Sequence, residues 1–416
     1  MCHFLQVFRS RTPLAVMIVV HGLCNPLGCS AGAQVFTTQV IGTPPLGLRA
    51  ILPGVGGSEF APEEVFKGGF GYGIGVRSTY DSNFFLTKDN PENELTTNVL
   101  PWINYHSDTT GGAPFSLNAS YQPNLRFYLN NPNINGVDHS GGVNMQVEGA
   151  KTLIAAYLNY STVSGTDIYS GTFVNGSLLA GGVRGTYQIA SRTSLFANFK
   201  VSMSDYGSGA LVGSDTYSAE AGGFWSASER LSLGPSICYM KETSANTGDR
   251  NSWTLSMQAQ YLMDEKFKFL GALGLQYSNN ASDAGNSSLG LTGRLAANYA
   301  ITENLQWETS ARYATAPSPT DLNYMMNNLT LSTALRRQLL RATVSLGVEM
   351  NFSDFVEVVT TGTKLGNENN LSMLLSYQRK VFSERLDFDT SIRYSLNGGR
   401  QEWSQVQVSA GISFQF

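Results

Sequence analysis

Gln405-Val406-Gln407-Val408-Ser409-Ala410-Gly411-Ile412-Ser413-Phe414-Gln415-Phe416 alternates polar and apolar residues almost without a break. In a strand, successive side chains point to opposite faces. Val406, Val408, Ala410, Ile412, Phe414 and Phe416 therefore share one face, and Gln405, Gln407, Ser409, Gly411, Ser413 and Gln415 share the other. A run of about ten such residues is the length a tilted strand needs to cross a membrane.

The same rhythm recurs upstream. Val344, Leu346, Val348, Met350 and Phe352 oppose Thr343, Ser345, Gly347, Glu349 and Asn351, while Leu255, Met257, Ala259 and Tyr261 oppose Ser256, Gln258 and Gln260. Leu386, Phe388, Ile392 and Tyr394 oppose Asp387, Asp389, Ser391 and Arg393. Short polar turns are expected at 191–193, 228–230, 264–266, 302–304, 336–338 and 382–384, their first residues 34 to 46 positions apart. Each interval accommodates two strands, one tight turn and one longer loop; the loops are Gly-, Asn-, Asp- and Ser-rich stretches such as 279–286, 317–328 and 353–368.

In hydrocarbon every backbone N–H and C=O must find a partner within the protein, and an antiparallel sheet achieves this only by closing on itself. The reading is therefore all-β: a transmembrane antiparallel up-and-down β-barrel over residues 70–416, with about eighteen strands counted from Phe70. The stretch 70–163 is the least regular and leaves sixteen open. Soluble propellers and solenoids repeat at similar periods. They need no continuous apolar strand face edged by aromatics, whereas here Trp225, Tyr261, Tyr299, Trp307 and Tyr377 fall near the tight turns, and Trp253, Tyr277, Tyr313 and Tyr394 near the loops.

The N-terminal residues read as an export signal. Arg9 and Arg11 precede the apolar run Leu14 to Val20, and Ala31-Gly32-Ala33 offers small residues for cleavage, so 1–33 is assigned as a signal peptide. Cys2, Cys24 and Cys29 would leave with it, and Cys238 would be the only remaining thiol, with no intramolecular disulfide. Residues 34–69, with Pro44, Pro45, Pro53 and Pro62, read as a Pro/Gly-rich periplasmic segment, a lumen plug being the sharper alternative. The chain of 416 residues is 14% charged with a net charge of -4, which offers no large basic face for nucleic acid.

Parity places the charges. Arg77, Arg126, Arg184, Lys200, Lys268, Arg294, Arg312 and Arg393 fall on the polar face, as do Glu148, Glu220, Glu308, Glu349, Asp387 and Asp389. These are the candidate lumen-lining residues. By count the signs nearly balance, so strong ion selectivity is not expected.

Tyr80-Asp81-Ser82-Asn83-Phe84-Phe85 resembles the opening of the β-barrel porin type 2 family, in which such a segment ends the first strand. The family's next loop is acidic and contains proline, matched by Asp89-Asn90-Pro91-Glu92, and its second strand carries a proline, matched in Val99-Leu100-Pro101. The resemblance spans about thirty residues and implies an outer-membrane channel without naming a solute; some members lie near exopolysaccharide export genes. A bare turn accounts for Asp81-Ser82-Asn83 equally well. Phe414 and Phe416 resemble the terminal signal read by barrel-assembly machinery.

Enzyme chemistry is not expected. His106 neighbours Ser107 and Asp108, but adjacent strand residues face opposite ways, and His139 beside Asp138 reads as a solvated loop residue. One cysteine and two distant histidines make no zinc site, and no cofactor is indicated. Gly71, Gly73 and Gly75 alternate with Tyr72, Ile74 and Val76 as in a tightly packed strand, not a phosphate loop. The expected function is passive diffusion of small hydrophilic solutes through an outer-membrane channel, with polysaccharide export as the alternative. The expected partners are outer-membrane lipid, the assembly machinery and the solute or polysaccharide.

Overall fold

The computed structural model describes residues 68–107, 114–168, 171–207, 211, 213–244, 248–264, 266–280, 287–317, 324–357, 366–381 and 385–416. The expected signal peptide, and the segment after it up to residue 67, lie outside the described residues. Eighteen strands succeed one another in a single antiparallel sheet: β1 Gly69–Asp81, β2 Glu94–His106, β3 Phe115–Tyr128, β4 Gly136–Glu148, β5 Thr152–Thr166, β6 Phe173–Ala190, β7 Thr193–Tyr206, β8 Ser214–Ser226 and β9 Leu231–Ser244. The second half is β10 Gly248–Leu262, β11 Phe267–Asn280, β12 Ser287–Thr302, β13 Leu305–Pro317, β14 Tyr324–Gln338, β15 Ala342–Glu357, β16 Asn367–Lys380, β17 Leu386–Gly399 and β18 Trp403–Gln415.

Each strand pairs with its sequence neighbours, and β1 pairs with both β2 and β18, so the sheet has no free edge. The closing register sets Gly73 opposite Gln415 and Asp81 opposite Gln407, which brings the start of β1 and the end of β18 to one rim. Phe416 seals that seam: its amide donates to the Tyr72 carbonyl at 3.1 Å, and its ring stacks on Tyr72 with centroids 5.5 Å apart.

Turn chemistry explains the tight connections on the same rim. Asp264 Oδ1 accepts from the amides of Lys266 and Phe267 at 2.8 and 2.7 Å, and Ser228 Oγ accepts from Leu231 at 3.0 Å. These side chains supply the acceptors that reverse the backbone. The turn expected at 336–338 is instead strand: β14 runs to Gln338 and the reversal uses Leu339, Leu340 and Arg341. Arg336 and Arg337 read as a polar turn but lie in the ladder, and Leu340 is fully exposed at the tip. The strands are 13 to 18 residues long and continue into stretches expected to be loops, β14 starting at Tyr324 and β15 ending at Glu357. Ladder hydrogen bonds carry them past the ten or so residues that face lipid.

The faces obey the alternation. Phe70, Tyr72, Ile74 and Val76 of β1, Leu255 and Met257 of β10, and Val406, Val408 and Ile412 of β18 are exposed. Between them lie buried polar residues such as Thr79, Ser252, Ser256, Gln405 and Ser413. A soluble protein does the reverse. An apolar exterior with Trp225, Tyr261, Tyr299 and Trp307 near one rim and Trp253, Tyr277, Tyr313 and Tyr394 toward the other is built for a bilayer, and the molecule is an outer-membrane β-barrel.

Candidate functional site at the mouth and the inner wall

The rim opposite the termini does not simply open. Between Asp81 and Glu94 the chain turns inward, and the residues that turn it are Asp81, Ser82 and Asn83. The buried Asp81 carboxylate accepts from the amide of Asn83 at 2.9 Å, from Gln405 Nε2 at 2.8 and 3.0 Å, and from Gln407 Nε2 at 2.9 Å. Ser82 exchanges bonds with the Val406 backbone on β18. The Asn83 side-chain amide donates to the carbonyls of Thr87 and Ser404, and its oxygen accepts from the Thr87 amide. The motif is thus more than a bare turn: it fastens the β1–β2 connection to the inner wall of β18. A polar group buried here needs every one of these partners.

What the clasp positions is apolar. Phe84 is fully buried against Phe85, Tyr128 and Phe173. Leu86, held at a positive φ of 52°, joins Ile168, Met326, Phe355 and Trp403 in one buried cluster. Ile168 comes after β5, whereas Met326 and Phe355 belong to β14 and β15, about halfway round the ring. Apolar side chains from opposite walls therefore meet around Leu86 and narrow the mouth. The Arg400 guanidinium lies over the Phe355 ring at 5.8 Å, and Lys88 forms an exposed ion pair with Glu402.

Buried acids brace the same rim. Glu94 accepts from the amides of Leu95 and Asn130 and from Asn131 Nδ2, holding the β3–β4 connection. Arg126 bonds Tyr128 at 2.7 Å and forms an ion pair of 2.7 Å with Asp138, which also accepts from Ser164. Glu368 accepts from Asn397 Nδ2 and the Gln401 amide.

Further down, Arg77 on β1 and Asp389 on β17 pair at 2.8 Å although β18 lies between them. Both face Gly411 across their ladders. A Cβ on Gly411 would stand 2.6 Å from Asp389 Oδ1, so the missing side chain is what lets the ion pair bridge a strand. Gly73 serves the Trp102 indole in the same way, its ideal Cβ falling 2.5 Å from the ring. Asp387 and Arg393 share the face of β17 that carries Asp389, and Glu349 is buried on β15, where one of its oxygens accepts from Asn351.

At mid-height the inner wall carries Arg184 of β6 and Lys200 of β7, neighbours through the Arg184–Asn198 and Gly182–Lys200 pairings, and Glu220 of β8 opposite Asn198. Arg294 of β12 and Arg312 of β13 stand directly opposite one another, and Glu308 faces Asn298. The charges of Glu220, Arg184, Arg312 and Arg294 all act on the Lys200 ammonium.

His106 on β2 and His139 on β4 lie apart, each with a polar partner of its own. His106 Nδ1 meets Asn118 Oδ1, Ser107 accepts from the Leu117 amide, and Asp108 lies outside the described residues. His139 is not a loop residue. It sits in β4 with its ring exposed and stacked on Tyr121, whose hydroxyl is 2.8 Å from Nδ1. The Asn, Gly and Asp around it resembled a loop, but the ladder to β3 reaches Gly136. Cys238, buried on β9, is disulfide-bonded, which departs from the expectation of an unpaired thiol; the other three cysteines lie outside the described residues. Among the described residues no group of His, Cys, Asp and Glu is arranged to hold a metal.

The chain matches no protein-family model and no curated protein. Among solved structures it is similar to the FrpB iron transporter from Neisseria meningitidis, at 11% identity and a TM-score of 0.45, over 79% of this chain and 62% of that one. It is also similar to OpdO of Pseudomonas aeruginosa, at 9% identity and 0.45 over 83% and 97% of the two chains. OpdK of Pseudomonas aeruginosa, solved with vanillate, matches at 10% and 0.45 over 83% and 98%. The chain spans less than two thirds of the FrpB length. Such low identities and scores transfer no substrate.

Proposed function

We propose that this outer-membrane barrel is a channel through which small hydrophilic solutes diffuse passively. The observation that carries the reading is the inversion of polarity across one closed sheet: polar side chains inside, apolar ones outside, on eighteen strands. A ring of that size is wide enough to leave a passage, where an eight-stranded ring is filled by its own side chains. The Leu86 cluster restricts that passage at the mouth and makes small size the first criterion of entry.

The clasp of Asp81, Ser82 and Asn83 supports a place in the β-barrel porin type 2 family, because the residues carrying the resemblance have a structural task. The exposed rings of Phe414 and Phe416 at the closing seam support reading the last strand as a signal for barrel-assembly machinery. The narrowed mouth also favours a second reading, an export component for polysaccharide that opens only with periplasmic partners.

Planar-bilayer recording separates the two. A diffusion channel gives stepwise, ohmic conductance from the purified chain alone. Silence from the wild type, with conductance gained in Leu86→Ser, favours the export component; silence from both contradicts any channel.

A further inference from the structure

The inner charges nearly balance in number, but the fold distributes them unevenly. In the β17–β1 sector Arg77 is matched by Asp389 across Gly411, with Asp387 and Arg393 nearby on β17. The mid-height sector differs. Arg294 and Arg312 face each other in register, an arrangement in which like charges on paired strands destabilise the ladder. Five places round the ring, Arg184 and Lys200 sit together on β6 and β7, and yet the fields of Arg294 and Arg312 reach the Lys200 ammonium. Four cations thus face the lumen from two walls, with Glu220 of β8 and Glu308 of β13 on the same inner face. Stability alone would not choose this grouping.

Resting on the channel reading above, we propose that Arg184, Lys200, Arg294 and Arg312 form a mid-barrel anion site that selects small anions, carboxylates and phosphates among them, over cations. Arg184, Arg294 and Arg312 each make further contacts; what sets the field is their charge, which a guanidinium keeps at any working pH. All four lie near the middle of strands whose ends form the two rims, so a solute passes them whichever way it travels. Rings of Arg and Lys select anions because a narrow, low-dielectric passage focuses the field that bulk salt would screen. Arg also offers fixed paired donors that match carboxylate and phosphate oxygens.

Two measurements on the full chain test this. Under a KCl gradient across a planar bilayer, the wild-type reversal potential should report chloride preferred over potassium. The double variant Arg294→Gln/Arg312→Gln should lower that preference by at least about fivefold, Lys200→Gln should lower it less, and the rim variant Arg337→Gln should leave it unchanged, all four proteins migrating as folded barrels. A zero or cation-preferring wild-type potential overturns the anion site while leaving the channel intact. The second readout needs no conduction: chloride-35 NMR line broadening by detergent-folded protein, reversed by added inorganic phosphate. Broadening lost in the double variant but kept in Arg337→Gln supports the site even if the chain does not conduct; equal broadening in all variants overturns it.

Discussion

Met257 of β10 and Met263, just past the end of that strand, point outward, 56% and 53% exposed, and an arginine placed at each probes a different depth. Met257 is midway between Trp253 and Tyr261, four residues from either. At about 3.4 Å per residue and a tilt near 40°, each aromatic lies about 10 Å along the membrane normal from Met257. Met263 lies beyond Tyr261, where its amide closes the β10–β11 turn onto the Phe267 carbonyl. An arginine facing lipid at the midplane costs roughly 2–4 kcal/mol, and one at the interface roughly 0–1 kcal/mol. Met257→Arg should therefore destabilise the folded barrel by about 2–3 kcal/mol more than Met263→Arg, roughly 30- to 150-fold in the folding equilibrium. The assay is urea-dependent folding into lipid vesicles, read by tryptophan fluorescence and by heat-modifiable migration on gels. Both substitutions replace the same residue type with the same charge, so residue identity and charge cancel. Equal destabilisation, or a worse result at Met263, would refute the placement of the apolar belt.

Other outcomes rest on particular contacts. Asp81→Asn sets an amide against the donors of Gln405 and Gln407; it should cost about 1–3 kcal/mol and release the β1–β2 connection, read as faster cleavage at Lys88 by a lysine-specific protease. Gly411→Ala crowds Asp389, so its cost and that of Asp389→Asn should sum to more than the double variant loses; strict additivity would deny that Gly411 makes room for the ion pair. The hydrogen bond and charge of Lys88 hold the Glu402 carboxyl below its usual range, so the pairing is present above the ordinary glutamate range and lost as pH falls through the lowered value. A carbon-13 titration of Glu402 should show that depressed midpoint, with Lys88→Ala returning it to normal.

Much of the barrel was legible because alternation, aromatic edges and turn residues are local signals. Val406 to Phe416 declared its faces by period alone, and Ser228 and Asp264 declared turns by chemistry. The misreadings share a cause. Arg336, Arg337 and His139 are polar residues inside the ladder, and composition cannot tell a polar strand end from a loop when hydrogen bonds to the neighbouring strand decide the matter. Parity also assigned Arg294, Arg312 and Lys200 to a face but not to a position round the ring. Their convergence depends on which strands the closed sheet brings near one another. The mouth was the least legible part. Leu86, Ile168, Met326, Phe355 and Trp403 come from five separate elements, and an apolar residue on an inner wall or in a connection has no periodicity to announce it. Only Asp81-Ser82-Asn83 marked the place, and its role needs Gln405 and Gln407, more than 300 residues away in sequence.

The channel itself is tested most directly by solute-driven swelling of vesicles that carry the folded wild-type chain and no other protein. The account predicts swelling in isotonic solutions of small sugars and amino acids, at rates that fall with solute size and rise in Leu86→Ser, where the apolar cluster at the mouth is opened. Absence of swelling with every solute, for both the wild type and Leu86→Ser, would contradict a passage through the barrel.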